Sequence, residues 1–409
     1  MASDTPLVPD VGVLALVPDT WGGPWQPRHH VLTRLANVFP VVWVNPAPYW
    51  RSLLPGTPSD DWGFDFDGST PPGFRTYTPE VWLPEMYRPP AVARWMRRER
   101  LRRARRMLER QGCRKTILYL WRPEHERALD LVEHDLSCYH IDDEYSFSPI
   151  EQPLSALEAA LIRRVDQVFI HSQGLLDKKG HLNPQTRYMP NGVDYQRYTT
   201  PCPEPEDLAK VPRPRIGYVG LIKPQLDLAL LQDLAGRHPT WAFVLVGPPP
   251  EKEPLASRVR QLGAMPNVHL LGPKPVSALP AYVQHLDVCL LCYGMDDYTK
   301  YIYPMKLHEY LATGRPVVGM PIRSLQRFDD VIALARTPAE WSAAIAAALE
   351  PEARSPGRIA ARRAVAQEHD WEHIVREISC TMADRLGPSY RERLERARPP
   401  GPPKTAFRQ

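Results

Sequence analysis

Short apolar runs recur along the whole chain, alternating with stretches of helical spacing. In the first half, residues 11–17, 40–45, 116–120, 137–141, 166–171 and 186–189 read as strands. Residues 28–37, 91–110, 124–133 and 151–164 read as helices between them. Residues 46–90 break the alternation with Pro, Gly, Asp and aromatics and read as a long irregular insertion. A polar, Pro-rich stretch at 199–214 reads as a linker. The alternation then restarts: strands at 215–220, 241–247, 267–271, 287–292 and 316–320, and helices at 226–237, 255–263, 277–285 and 338–350. A last helical pattern runs from 357 to 386, and the Pro- and Arg-rich tail 387–409 is expected to be disordered. Two successive strand–helix series predict an α/β fold of two Rossmann-like doubly wound domains, 1–198 and 215–370, facing a cleft.

Length agrees, since 409 residues exceed one ordinary core. A net charge of +4 gives no whole-molecule field for nucleic acid, and no recognised nucleic-acid motif accompanies the arginines. No apolar run reaches the ~18 residues of a membrane span. Met1–Thr20 lacks a basic n-region and a cleavage site, which predicts a cytoplasmic chain. Six cysteines are scattered, and the single C-x-x-C, Cys289 and Cys292, falls inside an apolar strand, so core packing is expected rather than zinc.

The densest chemistry lies at Pro304-Met305-Lys306-Leu307-His308-Glu309-Tyr310-Leu311-Ala312-Thr313-Gly314-Arg315-Pro316-Val317-Val318. Pro304 suits a helix start and Gly314 its end. Lys306 and Glu309 fall in the opening turns, where free N–H groups and the dipole favour an anion. A carboxylate beside an anion site fits a nucleotide, whose diol it accepts; taken singly, the same residues also describe an ordinary capped, solvated helix. The whole string resembles the nucleotide-sugar motif P-x-K-x-x-E-Y-L-A-x-G-x-P-V-V of family 4-like bacterial GT-B glycosyltransferases. The resemblance implies that Glu309 holds the ribose. Lys306 and the helix start face the diphosphate, with Leu307 in the same donor site. It also implies that a terminal helix, 371–386, crosses back to the first domain.

Gly220-Leu221-Ile222-Lys223 follows the first strand of the second domain. Gly220 there permits close approach of a phosphate, and Lys223 is the cation of that loop. The family often places an Arg where Leu221 stands. The G-x-I-x-x-x-x-D-L pattern here resembles a subgroup acting in teichuronic acid and exopolysaccharide assembly. Gly247 ends the next strand, either near the nucleotide base or simply as a turn. The family often carries a second Glu where this chain has Tyr301, so Asp296 and Asp297 become candidates for the donor sugar.

In the first domain Gly22 and Gly23 follow the first strand, and Arg28 and His29 open a helix whose start should look into the cleft; all four are candidates for a cleft role, with capping and packing as the alternative. Arg28 at a helix start predicts an acid or anion nearby. Asp142-Asp143-Glu144 follows another strand and resembles the family's acidic segment. On the family reading Asp142 and Asp143, with His29, form the acceptor-side catalytic group. A divalent metal held by the three carboxylates, or a plain acidic turn, are the competing readings. GT-B transfer needs no metal or other cofactor. His171-Ser172 and Met189-Pro190-Asn191-Gly192-Val193-Asp194 resemble structural segments of the family. The helix 91–110, with nine arginines against two glutamates, is a candidate contact for an anionic membrane.

The function implied is a metal-independent transfer from a nucleotide diphosphate sugar to a glycan or lipid-linked acceptor in envelope or exopolysaccharide biosynthesis, with retention of configuration. Two alternatives stay open: a catalytically silent sugar-nucleotide binder, which the departures at Tyr301 and Leu221 allow, and a GT-B-fold sugar-nucleotide epimerase.

Overall fold

The computed structural model describes residues 5–49, 70–146 and 150–396. The chain divides into two compact units, one up to Met189 and again from Glu372, the other Pro190–Trp371. The first unit is built on β1 (Val11–Leu16), β2 (Val41–Val44), β3 (Phe74–Tyr77), β4 (Lys115–Leu120), β5 (Leu136–Ile141), β6 (Gln167–Ile170) and β7 (Thr186–Tyr188). They form one parallel sheet in the order β3-β2-β1-β4-β5-β6-β7. Its central strands are buried along their length, which is why they read as unbroken apolar runs. Chain order reverses between β1 and β4, the place where open α/β sheets leave a crevice beyond their carboxyl ends.

The second unit carries β8 (Arg215–Val219), β9 (Ala242–Val246), β10 (Val268–Gly272), β11 (Val288–Leu291), β12 (Val317–Gly319) and β13 (Ala333–Leu334). These are also parallel, in the order β10-β9-β8-β11-β12-β13, with the reversal between β8 and β11. Both units are therefore doubly wound. Cys289 and Cys292 lie buried in and just after β11 with free thiols, as core packing requires.

Several boundaries differ from the sequence reading. The insertion 46–90 contains β3, which pairs with β2 from Val41–Phe74 to Val44–Tyr77; its residues 50–69 lie outside the described residues. Residues Pro123–Asp130 form a 3-10 helix rather than an α-helix over 124–133. The stretch 199–214 is no free linker: it carries the short helix Glu206–Ala209 and buries Leu208 and Val211 in the second unit's core. The pattern 357–386 is two helices, Pro356–Glu368 and Trp371–Leu386, because Val193 draws the intervening backbone to itself. Its N–H donates to the His369 carbonyl at 2.9 Å, and its carbonyl accepts from the Trp371 N–H at 3.0 Å. The tail is ordered as far as it is described: Pro388–Arg396 is helical, Leu394 is buried, and Arg393 pairs with Asp10 at 2.6 Å. Residues 397–409 of that expected disordered tail lie outside the described residues.

Candidate functional site

In the second unit three neighbouring strands end on glycine. Gly220, Gly247 and Gly272 take φ of +141°, +155° and +70°. The backbones interlock: Gly220 N–H donates to the Val246 carbonyl at 2.7 Å and Gly247 N–H to the Gly272 carbonyl at 2.9 Å. A Cβ on Gly247 would collide with the Gly220 carbonyl. A Cβ on Gly220 would occupy the same space as the end of the Lys306 side chain. Gly247 thus supports the Gly220 turn, and Gly220 leaves a passage that Lys306 fills.

Lys306 and Glu309 come from the helix Met305–Thr313. Pro304 is its N-cap rather than its first residue, and Gly314 closes it in the left-handed conformation at φ +78°. Three contacts fix this helix. The Tyr310 hydroxyl accepts from the Val219 N–H at 2.9 Å, tying it to the end of β8. Arg362, itself buried, donates to the Gly314 carbonyl at 3.1 Å. Before the helix, Asn191 Nδ2 donates to the Tyr303 carbonyl at 2.7 Å. His308, fully buried, lies 2.8 Å from the Tyr303 hydroxyl through Nε2 and stacks on His369 at 3.9 Å. Leu307 faces the core rather than any ligand.

Both charged groups of the motif are half-buried. Burial pushes the Lys306 ammonium down to about 8, with Lys223 adding to the effect and Glu309 opposing it. The ammonium also lies 5.3 Å from the centre of the Tyr218 ring. Burial pushes Glu309 above the ordinary carboxylate range, against the pull of Lys306 and a hydrogen bond from the Tyr198 hydroxyl. Tyr198 is buried, on the short helix Tyr195–Thr199 that Asp194 caps. Sequence reasoning missed it; its signal is the position four residues after the capping Asp of the P-N-G-V-D segment. Lys223 is exposed on the loop after β8. That loop is sewn to the one after β11, since Gly294 N–H donates to the Gln225 carbonyl at 2.8 Å and Asp227 N–H to the Cys292 carbonyl at 2.9 Å. The two loops border the reversal of strand order.

Tyr301 is buried at the end of the 3-10 turn Thr299–Tyr301. Asp296 accepts from the Tyr298 and Thr299 N–H groups at 2.9 and 2.8 Å, so its carboxylate shapes its own turn. Asp297 is exposed, 3.8 Å from Lys300.

The first unit assembles a different group. The acid expected beside Arg28 is present twice: the buried guanidinium pairs with Asp142 at 2.7 Å and with Asp19. The Tyr145 hydroxyl donates to the other Asp142 oxygen. Burial raises the Asp142 carboxyl, but Arg28, the Tyr145 hydroxyl and Arg122 outweigh it and hold the group below its ordinary range. Arg122 in turn lies over the Tyr145 ring at 4.4 Å. Asp142 is therefore an ionised, doubly engaged carboxylate. Asp143 accepts from the Glu144 N–H at 2.8 Å. Glu144 is no part of an exposed acidic turn: it is buried against Lys179 at 3.3 Å, which also meets the buried Glu158 at 2.8 Å. The three carboxylates thus separate, and among the described residues no group of His, Cys, Asp and Glu has the arrangement of a metal site. His29 is fully buried among Trp21, Trp25 and Trp43, and its Nδ1 accepts from the Gln26 N–H at 3.1 Å. Burial and Arg28 push its imidazole down to about 3, so it is neutral and serves the helix cap. Gly23 closes a turn on the Thr20 carbonyl at 3.0 Å, while the space beside Gly22 is open.

With this geometry in view, the family described as "Glycosyl transferases group 1" matches residues 213–351. That span covers β8 to the helix Pro338–Leu349, with the Gly220 turn and the Lys306–Glu309 helix inside it. Residues 213–351 are thus similar to a group 1 glycosyltransferase domain over about a third of the chain. The putative teichuronic acid biosynthesis glycosyltransferase TuaH of Bacillus subtilis (strain 168) is 28% identical over 236 residues, 55% of this chain. The match spans 58% of that relative's length. Among solved structures, sucrose-phosphate synthase from Thermosynechococcus elongatus superposes with a TM-score of 0.63 at 17% identity, covering 90% of this chain and 97% of its own. Anabaena HepE in complex with UDP and glucose gives 0.63 at 16% identity, covering 91% and 99%. Likeness at such identity shows the fold alone, the GT-B arrangement of two Rossmann-like units.

Proposed function

We propose that the protein transfers a sugar from a nucleotide diphosphate donor to a hydroxyl of a glycan or lipid-linked acceptor in cell-envelope polysaccharide assembly. The observation that carries the reading is the juxtaposition of Lys306, Glu309 and the Gly220 turn inside the span similar to a group 1 glycosyltransferase domain. A desolvated ammonium and a carboxylate one turn apart on one helix offer charge to a diphosphate and acceptors to a ribose diol. HepE, of the same fold, was solved with UDP and glucose, which supports a uridine nucleotide as the first donor to try. The likeness to TuaH supports an envelope polysaccharide as the acceptor class.

In this mechanism Lys306 and the helix start take up the negative charge that grows on the departing diphosphate. Lys223, exposed on the adjacent loop, adds a second cation. No metal is called on, and the configuration is retained. Asp142 acts through Arg28 and Tyr145, as a fixed anion of the acceptor-side unit. A location at the cytoplasmic face of a membrane completes the reading. Incubation with a panel of nucleotide sugars and membrane extracts, with product analysis by mass spectrometry, tests it. Release of nucleotide coupled to a glycosylated product is expected. Binding of nucleotide sugar with no transfer to any acceptor would instead support a silent homologue.

A further inference from the structure

The arginines of the helix Pro90–Arg110 fall into two sets. Arg97, Arg100, Arg103 and Arg105 turn to partners on neighbouring segments: Arg97 to Glu85 at 2.5 Å, Arg103 to Glu80 at 2.6 Å, Arg105 to Glu133 at 3.0 Å. Arg100 is buried, donating to the Leu83 and Pro84 carbonyls at 2.9 and 2.8 Å. The other set is Arg94, Arg98, Arg102, Arg106 and Arg110, spaced every fourth residue and all exposed. Each step of four turns the next arginine by about 40°, so the five wind as a ridge of like charge across the exposed side, with neighbours close enough to weaken the helix. Only Arg102 meets an acid, Glu99 at 2.7 Å; among the described residues Arg94, Arg98, Arg106 and Arg110 have no ion-pair partner.

Large apolar side chains open to water stand on and beside the same helix: Trp95 on its first turns, Tyr87 just before it, and Val81 and Trp82 on the segment that meets Arg103. Trp82 and Trp95 are each 56% exposed, Val81 64% and Tyr87 68%. They are held rather than loose. Trp82 lies under the Arg103 guanidinium at 4.6 Å, and Arg100 ties the 83–85 segment to the helix. Exposed guanidinium groups, all but Arg102 without an ion pair among the described residues, together with two exposed indoles on and beside the same helix, fit a surface with anionic headgroups above and hydrocarbon just beneath. A soluble polyanion meets the ridge but has nothing for the indoles.

We propose that this face, Arg94, Arg98, Arg102 and Arg106 with Trp82 and Trp95, is a docking surface for an anionic lipid bilayer. Attachment is peripheral, since among the described residues no helix is long and apolar enough to cross a membrane. The proposal gives a surface to the membrane part of the functional reading and does not depend on the sugar chemistry.

The test is sedimentation of the full chain with vesicles of phosphatidylcholine or phosphatidylglycerol. Binding to phosphatidylglycerol alone, suppressed by salt, is expected. The combined variant Arg94→Ser, Arg98→Ser, Arg106→Ser should weaken partition roughly fivefold per arginine, about a hundredfold in all. Trp82→Ser with Trp95→Ser should remove the fluorescence quenching by brominated lipid. Equal binding to both vesicle types, or unchanged partition of the arginine variant, overturns the proposal. So does retention on dextran sulfate with binding to neither vesicle. Should the arginine variant unfold by circular dichroism, the unaltered chain decides, because salt-insensitive partition refutes the ridge. Calorimetry with a nucleoside diphosphate separates the two readings: a chain that binds nucleotide but no vesicle refutes this surface alone, and the reverse refutes the donor site alone.

Discussion

The ammonium end of Lys306 fills the space where any residue but glycine at position 220 would carry its Cβ. The two residues are far apart in sequence, yet one turn of backbone and one side chain define a single feature. Gly220→Ala should therefore do more than strain a positive φ. The strain alone costs about 1–2 kcal/mol. The methyl group also evicts Lys306, so nucleotide diphosphate affinity should fall at least about tenfold, near 1.4 kcal/mol. Isothermal titration calorimetry beside a thermal melt checks this. A lowered melting temperature with unchanged affinity would show that Lys306 has no part in the donor site.

Lys306 carries a cost in the free protein. Its folded pKa of about 8 lies below the ordinary lysine value, so the unfolded chain binds its proton more tightly. Stability from this group is reduced below about pH 8 and regained as pH rises toward the unfolded value near ~10.4. Lys306→Met should raise the melting temperature at pH 7 by about 2–4 °C per kcal/mol recovered while abolishing diphosphate binding. Pairing with a diphosphate should also lift the pKa again. Binding near pH 8 should then take up about half a proton, and near pH 6 almost none, read as the buffer dependence of the calorimetric enthalpy.

Tyr198→Phe tests the carboxylate. Glu309 already titrates above the ordinary range because of burial, and the Tyr198 hydrogen bond opposes that rise. Removing the hydroxyl should push the carboxyl further up. Nucleotide affinity should then drop several-fold at the acid end of a pH series, with the gap to the unaltered chain closing as pH rises. A loss of equal size across the series would show that Tyr198 acts only through packing.

These residues show what the chain discloses when read alone. The motif helix was legible because its start, stop and charges are local, and the central strands because burial on both faces leaves unbroken apolar runs. β3 was not, since Phe74-Arg75-Thr76-Tyr77 exposes its two middle side chains and sits in a polar, Pro-rich stretch. The helix break at His369–Asp370 was hidden because its cause, Val193, is remote in sequence. The same remoteness concealed Tyr198 beside Glu309 and turned Glu144 from a candidate ligand into the partner of Lys179. His29 was read as a cleft residue from its position, but three tryptophans that no local rule brings together enclose it. The terminal helix Pro388–Arg396 did leave a trace, the i,i+4 pairs Arg391–Glu395 and Glu392–Arg396.

Asp142→Asn addresses the first unit. Breaking a buried ion pair by removing one partner costs about 3–5 kcal/mol, and less here because Asp19 still faces Arg28. Urea unfolding at pH 7 should show a loss of about 2–3 kcal/mol, below that range. Because the folded pKa of Asp142 is depressed, its contribution is present above the unfolded carboxylate value and fades as pH falls through the folded one. The difference between wild type and variant should therefore shrink in acid. A difference constant with pH would place the stabilisation in packing rather than charge.

The helix Met305–Thr313 is pinned at its start by Pro304, along its side by Tyr310 and at its end by Gly314 and Arg362. It can neither slide nor rotate. Lys306 and Glu309, three residues apart, keep an axial separation of about 4.5 Å set by the helical rise. That interval fixes where the two side chains start, and their reach is added to it. On the proposed reading, the anion and the diol of one ligand are therefore both referred to a single rigid element, and anything that shifts the helix moves both contacts together.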